Sequence, residues 1–195
     1  MGFLSASYWE DRYRQQQTGW DLGAASPPLA RYIDGIANKS AAILVPGCGN
    51  AHEAAYLVQH GFTNVTLVDI APTPVQLLQQ QLGNKARVLL MDFFELKGQF
   101  DYILEQTFFC ALDPKLRPAY VQQMHQLLAP GGRLAGVLFN RSFDGGPPFG
   151  GSTAEDQHLF APRFHLVKLE PCYNSIPPRQ GTELFMIAEK KQPSP

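Results

Sequence analysis

The sequence predicts an α/β fold built on an open, mostly parallel sheet with helices on both faces, and three observations predict it. Ile43-Leu-Val-Pro-Gly-Cys-Gly-Asn-Ala-His-Glu53 is an apolar strand running into a glycine turn and then a helix. Open α/β folds bring ligand-binding turns to the carboxyl edge of the sheet in this way. A second apolar strand, Val65-Thr-Leu-Val-Asp69, follows one helix later and ends in a carboxylate. Further apolar runs at 86–91, 100–104 and 133–139 are separated by segments framed as helices, a pattern of βαβ units.

The first elements are N-terminal helices. Ser7 is a cap candidate for a helix in which Trp9 and Tyr13, four residues apart, share a face. Thr18-Gly-Trp-Asp21 breaks it, and Ser26-Pro-Pro28 opens a second helix to about residue 37. An aromatic, amphipathic segment of this kind either packs on the domain or covers a site. The first strand spans 41–45 and the helix after the glycine turn 51–60. Thr73 caps the next helix, with Pro74 just inside it, Leu82 last and Gly83 beyond.

Strand 86–91 reaches Asp92-Phe93, where the carboxylate can cap the following turn, accept from a ligand's amino group, or do both. Strand 100–104 leads into Glu105-Gln-Thr-Phe-Phe-Cys-Ala111. A helix over 118–128 stops at Ala129-Pro-Gly-Gly132, which is punctuation before strand 133–139, and His125 falls among glutamines on its solvated face. The loop 142–151 mixes prolines that fix φ with glycines that free it. Runs 164–170 and 182–188 alternate as an antiparallel pair, and their connection carries Tyr173, Asn174, Ser175 and Arg179. Arg179 reads as a surface arginine or as a contact for an anionic acceptor. Residues 190–195 read as a tail.

Composition narrows the partners. With 195 residues, 45% hydrophobic and 17% charged, the chain suits one globular domain. A net charge of −1 gives no electrostatic case for nucleic acid or an anionic membrane. No apolar run approaches the ~20 residues of a membrane span, and the start lacks a signal-peptide pattern. Met1-Gly2 opens like a myristoylation signal, which Ala6 breaks. The expectation is a cytoplasmic monomer acting on small molecules. Cys48, Cys110 and Cys172 are widely spaced, so neither a metal site nor a disulfide scaffold is expected; Cys110 lies near the candidate pocket.

The cofactor is argued from what the glycine turn lacks. Gly47 and Gly49 let backbone approach a ligand, but the third glycine of a dinucleotide fingerprint is replaced by His52. No Lys-Ser/Thr pair follows, which excludes a P-loop. Asp69 lies 22 residues after Gly47, about the ~20-residue spacing at which an acid reaches a ribose diol. An adenosine-like ligand with no phosphate requirement fits, and S-adenosyl-L-methionine (SAM) meets that description.

Tyr8-Trp-Glu-Asp-Arg-Tyr13, Thr18-Gly-Trp-Asp21, Val45-Pro-Gly-Cys-Gly49, Asp69, Asp92-Phe93, Glu105-Gln-Thr-Phe-Phe-Cys-Ala111 and Gly146-Pro-Pro-Phe149 occur in one order. In that order they resemble the thiopurine methyltransferase superfamily of class I SAM-dependent methyltransferases, nearest its thiol, thiocyanate and halide branch. The resemblance implies a Rossmann-like fold with a seven-stranded sheet, a helical lid over 1–38 and an α/β core over 39–190. It implies that Trp9, Tyr13 and Trp20 close over cofactor and acceptor, where an aromatic face attracts a sulfonium by ~0.5–2 kcal/mol. It implies cofactor contacts at Gly47, Gly49, Asp69, Ile70, Asp92, Phe93 and Gln106. It also implies an acceptor pocket at Trp20, Phe108, Phe109, Phe143 and Phe149, with Trp20, Gln106 and Phe108 as positioning residues; Arg179 is added to that pocket only as the candidate anion contact read from the last connection.

Two departures from the resembling families stand out. Plant halide and thiol members have tryptophan where this chain has Tyr13. Thiopurine methyltransferases proper have arginine where it has Gln106.

The mechanism implied is in-line methyl displacement yielding S-adenosyl-L-homocysteine. Orientation supplies up to ~7–11 kcal/mol in such cases. No positioned base is evident, so a soft, easily ionised acceptor is expected: a thiol, thiocyanate or halide. The alternatives are an aromatic-thiol methyltransferase of the thiopurine type, a non-catalytic SAM-binding module and, disfavoured by His52, a dinucleotide oxidoreductase.

Overall fold

The strands are β1 (Ile43–Pro46), β2 (Val65–Asp69), β3 (Arg87–Leu90), β4 (Phe100–Gln106), β5 (Leu128–Phe139), β6 (Phe164–Pro171) and β7 (Glu183–Lys190). They form one sheet in the order β3-β2-β1-β4-β5-β7-β6. The first five run parallel, and β7 lies antiparallel between β5 and β6. The computed structural model describes residues 4–192. Met1-Gly2 and the last three residues of the expected tail lie outside the described residues.

Alternation along each strand builds the core. Ile43 and Val45 of β1, Leu67 of β2 and Leu104 of β4 face one side with Leu29, Ile33, Leu57 and Val75. Leu44, Val68 and Ile103 face the other with Tyr120, Met124 and Phe160. Because both faces are covered at the centre of the sheet, β1 and β2 are buried at every position and read as near-continuous apolar runs.

The helices covering them are α1 (Ala6–Arg14), α2 (Pro27–Asp34), α3 (His52–Gln59), α4 (Pro72–Leu82), α5 (Arg117–Leu127) and α6 (Thr153–Phe160). Strand order reverses at β1, which pairs with β2 on one side and β4 on the other. The turns after β1 and β4 therefore border one crevice, the position where open sheets bind ligands.

Several boundaries differ from expectation for local reasons. The cap of α1 is Ser5, whose Oγ accepts from the Tyr8 amide, not Ser7. Helix α4 starts at Pro72, so Thr73 lies inside its first turn, with its amide and hydroxyl both donating to Glu10. Residues 128–132 belong to β5, where the register shifts opposite Phe100 and Tyr102. His125 is half-buried against Phe164 and lies 3.1 Å from the Lys191 carbonyl, and Gln123 beside it is buried. Helix α6 was not anticipated. Its signal was the Ser-x-x-Glu spacing of a helix start, and in the structure Ser152 Oγ accepts from the Glu155 amide and donates to its carboxylate.

Candidate active site

The crevice is built from three strand ends. After β1 the chain takes left-handed conformations at Gly47 (φ +55°), Gly49 (φ +50°) and Ala51 (φ +51°). After β2, Asp69 is 9% exposed; its Oδ2 accepts from the Gly49 amide and its Oδ1 from the Ala71 amide, both at 2.9 Å. Burial raises the Asp69 pKa, and the amides of Ala71, Gly49 and Ile70 oppose that rise. The same carboxylate thus braces the glycine turn and borders the cavity. After β3, Asp92 caps the adjoining turn by accepting from the Phe94 amide (2.9 Å).

The segment after β4 closes the crevice. Thr107 has φ +59°, a costly conformation for a β-branched residue. Phe108 then lies against the glycine turn, where a Cβ at Gly47 would come within 2.2 Å of its ring. Phe108 also meets Phe93 edge-on at 5.2 Å. The Gln106 Oε1 atom is buried with no hydrogen-bond partner among the described residues.

The N-terminal segment covers this floor with rings. Trp20 sits edge-on to both Trp9 (5.6 Å) and Tyr13 (5.8 Å). A Cβ at Gly49 would lie 2.6 Å from the Tyr13 hydroxyl, so that glycine admits the covering ring. Burial, then the nearby Asp69, push the Tyr13 phenol far above its ordinary pKa.

Polar contacts fasten this segment at three points. Glu10 accepts from Thr73 (2.8 and 2.6 Å). Asp21 accepts from Asn50 and lies 2.5 Å from His52 Nε2. Arg179 Nη2 donates to the Trp20 carbonyl (2.9 Å).

These walls enclose a cavity of about 730 Å³, within the ~300–1,000 Å³ of small-molecule sites. Of the residues singled out from sequence, it is lined by Trp9, Tyr13, Trp20, Gly47, Asp69, Ile70, Asp92, Phe93, Phe108, Phe143 and Arg179, together with Cys110. Gly49 and Gln106 line a smaller adjoining recess of about 50 Å³ that shares Trp20, Gly47 and Thr107 with it.

Two expected pocket residues lie elsewhere. Phe109 is 3% exposed in the core against Tyr120 and Phe160. The Phe149 ring folds back on Gly146 while its amide donates to the Cys110 carbonyl (2.6 Å). Sequence reasoning missed Arg141, whose guanidinium lies over Phe143 (4.7 Å), and Arg12; both line the cavity. Arg141 stands just beyond β5, at a carboxyl strand end, which was the available signal.

Such a sheet, with its glycine turn, strand-end carboxylates and covered cavity, defines a class I SAM-dependent methyltransferase. The chain is similar to a solved N1-methyltransferase for 1,6-didemethyltoxoflavin from Burkholderia thailandensis, bound to that compound and S-adenosylhomocysteine. The TM-score is 0.77 and identity 25%, over 96% of this chain and 87% of that one. A TehB-like SAM-dependent methyltransferase from Corynebacterium glutamicum (TM-score 0.69, 21% identity, 96% and 98% covered) shares the fold.

The chain belongs to the thiopurine S-methyltransferase family, whose model matches residues 4–192. It is 32% identical to a probable thiol methyltransferase 2 of Arabidopsis thaliana, over 92% of this chain and 83% of the relative. It is 30% identical to thiocyanate methyltransferase 1 of Brassica oleracea, over 90% and 81%. It is a SAM-dependent methyltransferase. The residues present fit that cofactor: the carboxylates of Asp69 and Asp92 border the cavity at two strand ends, and the buried amide oxygen of Gln106 has no partner among the described residues. Among the described residues no group of His, Cys, Asp and Glu is arranged to hold a metal, and no helix is long and apolar enough to cross a membrane.

Proposed function

We propose that this enzyme methylates a small, soft, anionic nucleophile: a thiolate, thiocyanate or halide. The observation that carries the reading is the make-up of the cavity wall, which presents arginines and aromatic rings and has no histidine or lysine among its described residues. Burial pushes the one thiol there, Cys110, up to about 12. With no histidine or lysine on the wall to take up a proton, and with Asp69 and Asp92 assigned to the cofactor, the acceptor this wall favours is one that arrives already ionised. The names of the thiol and thiocyanate relatives support the same class.

Bound SAM supplies an electrophilic methyl group. On this reading Trp9, Tyr13 and Trp20 shield its sulfonium from water, Asp69 and Ile70 hold the ribose end, Asp92 and Phe93 the adenine end, and Gly47, Gly49 and Gln106 the amino-acid end. Phe108 and Trp20 orient the acceptor across an apolar surface, where orientation does most of the catalysis. Arg179, which also pairs with Glu183 at 3.5 Å, gives the wall positive potential towards the anion. The protein acts as a cytoplasmic monomer on small molecules.

A second reading, an aromatic thiol as acceptor, is favoured by a cavity that holds more than a monatomic ion beside the cofactor. The deciding experiment measures S-adenosylhomocysteine formation with thiocyanate, iodide, bisulfide, an aromatic thiol and no acceptor. Turnover of the small anions supports the first reading, and a preference for the aromatic thiol the second. Trp20→Ala is expected to lower acceptor turnover by tenfold or more; unchanged turnover would sink its assignment.

A further inference from the structure

Glu105, the penultimate residue of β4, is a fully buried carboxylate to which the proposed methyl transfer assigns no role. It is satisfied on every side. Oε1 accepts from the amides of Phe108 (2.8 Å) and Phe109 (2.9 Å), and Oε2 accepts from Tyr120 Oη (2.5 Å). Space for it is made on the neighbouring strand, where a Cβ at Gly136 would come within 2.7 Å of the Glu105 Cβ. Between the carboxylate and the two amides it holds lie Gln106, with its unpartnered oxygen, and Thr107, in a left-handed conformation. A strained turn persists only where its surroundings over-determine it, and this three-donor clamp does so.

We propose that Glu105 is a positioning residue for methyl transfer, its carboxylate anchored by Tyr120 and fastening the backbone that presents Gln106, Thr107 and Phe108 to the cavity. The roles of Gln106 and Phe108 rest on the proposed function; the clamp itself does not. Burial raises the Glu105 pKa to about 7, against the pull of Tyr120 and the two amides. The titratable groups around it are Tyr120 on α5 and Cys110 on the turn itself; Asp156 acts on Tyr120, and Arg117 and Arg179 act on Cys110. Protonation removes the charge on which the clamp depends, so the ordered turn belongs to the higher-pH form.

Tyr120→Phe keeps the core ring and removes one donor, and Glu105→Gln removes the titrating group. In both variants, with folding checked by circular dichroism, we expect the Phe108 and Phe109 amides to exchange with deuterium ~tenfold faster than in wild type at the same pH, while β1 and β2 are unchanged. With whichever acceptor is turned over, kcat should fall ~tenfold or more at similar SAM affinity. The acid limb of kcat should move to higher pH in Tyr120→Phe and vanish in Glu105→Gln. Unchanged exchange at the two amides overturns the clamp whether or not any acceptor is methylated. Faster exchange with wild-type kcat and an unmoved acid limb overturns the positioning role. Clamped amides in a wild-type protein inert to every acceptor would support the clamp and overturn the acceptor reading alone.

Discussion

At Gly49 two constraints meet in one residue. Its φ of +50° disfavours a side chain, and a Cβ would press on the Tyr13 hydroxyl at 2.6 Å. Gly49→Ala is therefore expected to weaken SAM binding by ~tenfold or more, because strain at the turn and displacement of the covering ring add. Equilibrium titration following Trp9 and Trp20 fluorescence reads the effect, and wild-type affinity would show that neither constraint matters to the ligand. The glycine pattern was legible in the sequence because positive φ has a residue signature. Thr107 had none. Its left-handed backbone is imposed by Glu105 and could not be read from a residue type that ordinarily avoids it.

Among the elements, α1 is held in an unusual way for a helix of a globular protein: none of its residues is fully buried. Its position rests on ring-to-ring contacts and on one polar fastening to a residue 63 positions away (Glu10 to Thr73), while the segment that follows it is held by links 31 apart (Asp21 to His52) and 159 apart (Trp20 to Arg179). Elements held by few apolar contacts open locally at low cost. Glu10→Ala should speed SAM release by ~threefold to tenfold while moving the global Tm by less than ~2 °C. Stopped-flow fluorescence and thermal melting test the two halves separately; equal loss in both would make α1 structural rather than a cover. The central strands were readable because burial on both faces leaves an unbroken apolar run, and β6 and β7 because their apolar residues alternate. Helix α6 escaped because its eight residues show little contrast between faces and its cap needed the Ser152–Glu155 reciprocity to be noticed.

For the whole molecule, the consequence of the buried carboxylates is a pH dependence. Burial raises the pKa of Glu53 and Asp69, and raises those of Glu105 and Asp156 to about 7. A carboxyl raised on folding binds its proton more tightly in the native state. Its stabilising contribution is full below the ordinary range near ~4 and is lost as pH rises towards 7. Glu10 and Asp21 shift the other way, through their hydrogen bonds and against burial, so their stabilisation is full throughout this window and is lost only as pH falls below the ordinary carboxyl range. Tm should thus be higher at pH 5.5 than at pH 7.5 by ~5 °C or more, since 1 kcal/mol moves Tm by ~2–4 °C at this size. A flat or rising profile would contradict it. Stability and the ionised clamp at Glu105 then favour opposite ends of the same pH window.

By itself the sequence determined the features that local pattern and residue type dictate: the strands, the glycine turn, the strand-end carboxylates and, through their order, the methyltransferase family. Only the tertiary structure decided which rings face the cavity. Phe108 turns in while its neighbour Phe109 joins the core and Phe149 folds away, a choice made by Glu105, Tyr120 and Gly146 and not by the run of apolar letters. The fastening of α1 and the pairing of Asp21 with His52 were likewise invisible. The physical reason is common to all of these: periodicity reports whether a residue is buried, whereas contacts across distant segments depend on how crossovers pack on the sheet.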